Sequence, residues 1–470
     1  MFMTREKRRI PRTILLVLTL ALVVIAGVGA FRAGPAPEIK ITPGFPAIGK
    51  RTPVKIEIVE PQRGLSRVTV DFVQDQRVEG LAEKNYTPLS PLIFWGPRTQ
   101  RDEIAVEVGR DTIANLKAGQ ASVRVTAGRA SSWWRNPDPV IQEVSLPVRL
   151  TPPSLQVTSI QTYAAQGGCE AVAYRVGESC VRDGVRSGGR WFPGYPLPGG
   201  GKQDRFALFA VAYDSNDSKV RLVADDGAGN EAEVAFIEKF FPKPFKTDTI
   251  QVTDEFMAKV VPEILSHSTE LADRGSLLNN YLAINRELRQ KNAEELNELA
   301  KKSRPQFLWS KPFLPLGNAQ VMSWFADRRT YFHGGKEIDR QDHLGFDLAV
   351  TRRTQVPAAN DGTVVLAKYF GIYGNAVVID HGYGLMSLYG HLSSIAVAPG
   401  QQVSRSDVLG QTGETGLAGG DHLHFTTLLQ GLPVNPVEWW DSHWIQDRIV
   451  RKLGPAFPYK SETSPRASTK

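Results

Sequence analysis

Seven of the eight histidines fall between His333 and His443, and five of those lie in three short motifs, HLGFD, DHGYGLMSLYGH and HLHF. Clustering of a residue type that is scarce elsewhere points to a metal site built by one domain. HLGFD supplies His343 and Asp347, HLHF supplies His422 and His424, and His391 lies between them in YGH. A catalytic zinc hydrolase needs this inventory: three protein ligands, a fourth position for water, and further imidazoles to move protons. In an extended strand, residues two apart share a face at roughly 7 Å. His422 and His424 can therefore enter one cleft, one as ligand and the other beside it. Gly345, between His343 and Asp347, permits tight curvature of the backbone. Two neutral imidazoles and one carboxylate would leave a bound dication with net positive charge, which acidifies water and polarises a carbonyl. HxxxD or HxH alone is a weak signal; the ordered combination within one domain is a strong one.

The elements that must position these residues are mostly strands. From Pro312 to about Trp444, VVLAKY, NAVVID, MSLYGHL and HLHFTTLL read as strands, and the glycine-rich stretches between them as turns. Between Pro35 and Leu150, period-two alternation at Val54, Ile56 and Ile58, at Val68, Val70 and Phe72, and at Ile104, Val106 and Val108 predicts an immunoglobulin-like antiparallel sandwich. A second β-rich module follows the Pro152-Pro153 break, with FALFAVAY, VRLVA and EVAF as strands. Helical text begins at Thr253; Pro262 is expected to kink or restart the first helix, and a longer amphipathic helix is expected from Ser276 to Lys302. The fold class is mainly β. Its expected parts are a cytoplasmic stub and anchor or signal (1–34), a β-sandwich (35–150), a second β module (151–245), a helical linker (246–306), a catalytic β domain (307–446) and a basic, disordered tail (447–470).

A chain of 470 residues exceeds one hydrophobic core, so several domains are expected. The net charge of +7 is located at the ends: residues 1–12 carry +4 and residues 451–470 carry +4, which leaves the middle near −1. Nucleic-acid binders concentrate basic charge on a folded face, so nucleic acid is not expected as a partner. The uncharged apolar run from Thr13 to Phe31 is long enough to span a bilayer, and the basic residues before it keep the N-terminus cytoplasmic. An uncleaved single-pass anchor is the preferred reading over a signal peptide cut near Val28-Gly29-Ala30. Either reading places the remainder outside the cytoplasm. For an exported chain, the two cysteines, Cys169 and Cys180, read as a structural disulfide ahead of a metal site, with a reduced pair as the alternative.

HLGFDLA, NAVVIDHGYGLMSLYGHLS and GQTGETGLAGGDHLHF together resemble the signature blocks of the LytM/lysostaphin-type zinc endopeptidases, over roughly Pro312 to Trp440. The resemblance implies a β-sheet groove with one Zn2+ on its floor, held by His343, Asp347 and His424. It casts His391 and His422 as catalytic histidines and the peptide part of peptidoglycan as substrate. Two positions depart from the family pattern, Gly419-Gly420-Asp421 before HLHF and Thr426 after it, where many members carry Glu. Neither is a family ligand, so the departures bear on loop shape and substrate preference. Degenerate LytM domains, which regulate other cell-wall enzymes, typically lose ligands, whereas all five chemical positions are intact here. The remaining histidines and neighbours receive structural readings: His381 a turn or supporting hydrogen bond, His333 an exposed loop, His267 and His443 surface or packing, Tyr389 a strand aromatic, Asn375 a turn. The expected function is peptidoglycan hydrolysis from the inner membrane, with the bulk of the chain in the periplasm or extracytoplasmic space and a protein activator as a further possible partner. The rivals are a non-catalytic regulator or scaffold and a zinc peptidase acting on envelope proteins. The upstream modules could also cover the groove.

Overall fold

The structure is a computed structural model, and residues 11–31, 35–87, 96–132, 135–215 and 219–460 are described, with side chains of residues 28–31 outside that description. The expected cytoplasmic stub 1–10 and the cleavage-site reading at Val28-Gly29-Ala30 therefore lie outside the described side chains. The apolar run forms a helix, Arg12–Phe31, whose Ile14, Leu16, Leu22 and Ile25 are exposed. Among the described residues, no helix is long and apolar enough to cross a membrane.

Backbone contacts divide the chain into two compact units: residues 1–153 with 225–231, and residues 154–224 with 232–470. In the first unit, Glu38–Pro43, Thr52–Val59 and Arg101–Val108 form a three-stranded antiparallel sheet. Arg77–Asn85, Leu65–Gln74, Gly119–Arg129 and Val140–Val148 form a four-stranded one. Alternation does what the sequence requires. Val54, Ile56 and Ile58 from one sheet share a buried core with Val68, Val70, Phe72, Val123 and Val125 from the other, while Lys55 and Arg67 face solvent.

In the second unit, an eight-stranded antiparallel sheet carries the chemistry. Its order is Gln320–Ser323, Phe346–Ala349, Leu423–Leu429, Leu385–Leu392, Asn375–Gly382, Gly362–Tyr369 and Gln402–Val403, with Leu432–Val434 pairing on Leu423–Leu429. Beside it, Thr247–Gln251 pairs in parallel with Asp327–His333, which pairs in turn with Lys336–His343. The strands of residues 155–224 join this unit through aromatic packing. Phe206 stacks on Phe307 at 5.6 Å and meets Tyr383 at 5.1 Å, and Tyr195 meets Tyr383 at 4.6 Å.

The helical text folds as Asp254–His267, then Leu277–Ala283, a π turn at Ile284–Leu288, and Arg289–Ala300. Thr253 and Ser276 cap the two starts by accepting from Phe256 N and Asn279 N. The first helix runs through Pro262 without restarting. Burial of Val260, Val261 and Ile264 supplies the packing that holds it.

Two expectations are corrected. Cys169 and Cys180 form no disulfide. Cys169 opens the eight-residue strand Cys169–Val176 in the core, whereas Cys180 lies past its far end and contacts the Arg182 carbonyl. An extended strand advances about 3.3 Å per residue, which carries the two thiols apart. The tail expected to be disordered from 447 is ordered over its described part. Gln446–Val450 and Arg451–Leu453 are helical, Ile449, Leu453 and Phe457 are buried, and Lys452 meets the buried Glu170 at 2.8 Å. Apolar residues spaced among the basic ones supply a buried face that net charge alone conceals.

Candidate active site

Asp347 and His424 lie directly opposite each other on adjacent strands, and Gly390 pairs with His424 on its other side. His343 ends the strand Lys336–His343, and the chain turns through Leu344-Gly345 into Phe346–Ala349. A Cβ on Gly345 would lie 2.6 Å from both His424 Nε2 and Thr426 Oγ1, so only glycine lets the imidazole sit there. Three ligand-type atoms converge: His343 Nε2 to Asp347 Oδ1 at 2.9 Å, His424 Nδ1 to the same oxygen at 2.9 Å, and the two nitrogens at 3.2 Å. All three residues are buried.

Each imidazole's other nitrogen is committed. His343 Nδ1 donates to the Trp324 carbonyl at 3.0 Å. His424 Nε2 donates to Thr426 Oγ1 at 3.0 Å, and that hydroxyl donates to the Leu344 carbonyl at 2.8 Å. These bonds fix the tautomers that leave His343 Nε2 and His424 Nδ1 unprotonated. A tetrahedral zinc ion with bonds of 2.0–2.1 Å has ligand–ligand edges of about 3.3 Å, so the donor set fits zinc in type and spacing.

His391 and His422 stand beside this group, their rings 4.8 Å apart. His391 Nδ1 donates to the Thr415 carbonyl and His422 Nδ1 to the Gly420 carbonyl, each at 2.8 Å. Both Nε2 atoms are thereby left for chemistry, and that of His422 lies 3.4 Å from Asp347 Oδ1. Strand alternation would put His391 on the face of Tyr389. Instead the sheet is bulged between Asn375 and Val377, opposite this stretch, and His391 adopts a left-handed φ of 62°, which turns its ring into the groove.

Electrostatics separates the imidazoles. Burial would raise the Asp347 carboxyl, but the attraction of His343 and of the adjoining His422 and His424 outweighs it and holds it well below the usual carboxylate range. Burial, with His422 and His424 nearby, pushes His391 well below the ordinary histidine value. Burial likewise takes His424 down to about 4 despite Asp347. For His422 burial also opposes protonation, yet the hydrogen bond and charge of Asp347 prevail and raise it.

The five residues line one cavity of about 360 Å³. Its walls include residues that sequence reasoning missed, Arg329, Arg289, Tyr281 and Tyr373 among them. Arg329 Nη2 donates to Asp347 Oδ2 at 3.1 Å and to Ser323 Oγ at 2.7 Å. Nothing in DRRTYF marks it; the strand Asp327–His333 brings it to Asp347 only in the assembled fold. Phe256, Tyr281, Arg289, Ala293 and Leu296 come from the helical segment, so these helices roof part of the groove. They are tied down by Lys259 to Glu414 at 2.7 Å and by Glu263, which accepts from Gly416 N at 3.0 Å and Tyr369 Oη at 3.1 Å.

The other singled-out residues lie elsewhere. His381 is fully buried, bonded to the Asp361 carbonyl and Ser387 Oγ at 2.7 Å each. Tyr389 is core, its hydroxyl accepting from Ala359 N. His333 bonds the Val252 carbonyl from a strand end, and His267 stacks on Tyr369. His443 sits in the short helix Ser442–Ile445, and Asn375 starts a strand.

A β-sheet groove with a His/Asp/His cluster and two flanking imidazoles defines a metallopeptidase-type site. Residues 341–436 match peptidase family M23, so the C-terminal part of the chain carries a peptidase M23 domain. The chain is 43% identical over 95 residues to the DD-carboxypeptidase/endopeptidase Mpg of Neisseria meningitidis serogroup B, covering 20% of this chain and 22% of that protein. It is 39% identical over 95 residues to the murein hydrolase activator EnvC of Escherichia coli, covering 20% and 23%. A solved structure of a peptidase M23 protein from Pseudomonas aeruginosa aligns over 59% of this chain and 94% of its own at 22% identity, with a TM-score of 0.37. The chain thus spans about a fifth of the length of the curated relatives it matches.

Proposed function

We propose that this protein is a zinc endopeptidase that hydrolyses peptide cross-links or stem peptides of peptidoglycan. The observation that carries the reading is the convergence of His343 Nε2, Asp347 Oδ1 and His424 Nδ1, with the imidazoles of His391 and His422 beside them and anchored through Nδ1 on backbone carbonyls. The peptidoglycan substrate is supported by 43% identity over 96 residues to the peptidoglycan DD-endopeptidase ShyA of Vibrio cholerae. In this reading His343, Asp347 and His424 hold zinc. When bound, the ion would polarise the scissile carbonyl and bring a water toward ionisation at neutral pH. His391 and His422, their Nδ1 protons anchored on backbone carbonyls, present Nε2 to the reacting atoms, one to take a proton and the other to stabilise the developing oxyanion. Leu344, Ile372 and Leu417 add apolar wall to the cavity that these imidazoles line. The bulk of the chain is proposed to work in the periplasm or extracytoplasmic space, on the side of the membrane where peptidoglycan lies.

The test is digestion of purified sacculi by the zinc-loaded protein, with His391→Ala as control and released muropeptides analysed for new peptide ends. Alanine at His391 or His422 is expected to keep zinc and lose turnover; alanine at His343, Asp347 or His424 is expected to lose zinc. Zinc retained by the second group would overturn the ligand assignment. The resemblance to EnvC favours a second reading, a regulator of other cell-wall enzymes. Zinc-loaded protein that leaves sacculi intact but stimulates an added murein hydrolase would establish it. Cleavage of an envelope protein in place of sacculi would instead point to a protein substrate.

A further inference from the structure

The groove carries more positive charge than the reaction needs. Among its described lining residues, Asp347 is the only carboxylate, and it is engaged with the histidines. Two guanidiniums line the same cavity, Arg329 from strand Asp327–His333 and Arg289 from helix Arg289–Ala300. Arg289 is fixed in place by Asn285, whose backbone carbonyl accepts from Nε at 3.1 Å and whose Oδ1 accepts from Nη2 at 2.8 Å. It follows directly on the π turn Ile284–Leu288, and such turns recur where a helix presents a functional side chain. Arg329 has one edge on Asp347 Oδ2 and Ser323 Oγ, while its buried Nε has no hydrogen-bond partner among the described residues. A buried, unsatisfied guanidinium N–H is costly unless a ligand completes it. A dication on the three ligands would add further positive charge to the groove. The anion that a planar guanidinium fork matches best in a peptide groove is a carboxylate.

We propose that Arg289 and Arg329 form a carboxylate-recognition subsite that selects peptides bearing a free carboxylate close to the scissile bond. The inference rests on the hydrolase reading above and deepens it by naming the substrate chemistry.

The experiment uses the full chain carrying His391→Ala, loaded with zinc, so that binding is measured without turnover. Three synthetic cross-linked stem-peptide dimers are titrated calorimetrically: one with all carboxylates free, one amidated only at its C-terminus, and one amidated only at its internal carboxyl groups. Loss of the recognised carboxylate is expected to weaken binding about tenfold, and the arm that weakens identifies which carboxylate is read. Arg289→Gln in the same background should abolish the preference, and Arg289→Lys should keep part of it. Arg329→Lys provides a second, independent variant, and thermal midpoints confirm that each variant is folded. Equal affinity for all three dimers, no binding of any, or a preference that survives both Arg289→Gln and Arg329→Lys would each overturn the subsite. Sacculus digestion by the unsubstituted chain separates the two claims. Cleavage without carboxylate preference defeats the subsite and leaves the hydrolase standing. Carboxylate-dependent binding without cleavage defeats the hydrolase and leaves the subsite.

Discussion

Thr426→Val removes one hydroxyl and nearly nothing else, which makes it a sharp probe of how the site is held. Thr426 is 1% exposed; its Oγ1 accepts from His424 Nε2 at 3.0 Å and donates to the Leu344 carbonyl at 2.8 Å. Valine fills the same volume but leaves the His424 N–H buried without an acceptor. An orphaned buried donor costs about 2 kcal/mol, and the half-buried Leu344 carbonyl adds less because water reaches it. The imidazole can escape part of that cost by moving its proton to Nδ1, which would then bond Asp347. That tautomer is the one a metal must undo, so zinc affinity should fall about 10- to 100-fold, the usual cost of losing a supporting hydrogen bond. Competition with a chromogenic chelator at fixed pH measures this directly, and urea unfolding of the metal-free protein measures the stability loss. Thr426→Ser keeps the hydroxyl and should restore most of the affinity. A valine variant that binds zinc as tightly as the parent would refute the view that Thr426 sets the His424 tautomer.

Three further outcomes follow from the coordinates. Gly345→Ala should lose zinc and activity together, since its Cβ would press within 2.6 Å of His424 Nε2; normal zinc stoichiometry by atomic absorption would contradict this. Lys452→Met should destabilise the second unit by about 3 kcal/mol in urea unfolding, because it removes the 2.8 Å ion pair from the buried Glu170 carboxylate and leaves it Arg448 at 3.5 Å and the backbone N–H groups of Ala171 and Tyr163. Glu438 is buried, and that burial raises its carboxyl from 4.5 to about 7. Both folded and unfolded states hold the proton below pH about 4.5, and between there and about 7 only the unfolded state releases it. Stability should therefore fall by about 3 kcal/mol as pH rises through that window. Glu438→Gln, which keeps an acceptor for Cys169 N, should flatten the profile; an unchanged slope would show that other groups cause it.

What the sequence determined by itself is local and periodic. Alternation at Val54, Ile56 and Ile58 commits that strand to one buried face, because side chains of an extended chain point alternately to the two sides. The His and Asp inventory of HLGFD and HLHF, and the need for glycine between its first two members, are likewise written in residue type and spacing. Other features depend on what packs from far along the chain. The thiols were paired on composition, but the strand between them points them apart. Basic charge from 447 to 470 predicts a disordered tail, yet over the described residues to 460 Ile449, Leu453 and Phe457 are buried. The proline-containing helix persists because tertiary burial outweighs the local penalty of Pro262. At the site, the bulge that turns His391 out of register and the strand pairing that sets Asp347 opposite His424 are decided by the assembled sheet. So is the arrival of Arg289 and Arg329 at one cavity from segments 40 positions apart. Neither arginine has a spacing signature, since their proximity is a property of three-dimensional packing and leaves no period in the chain.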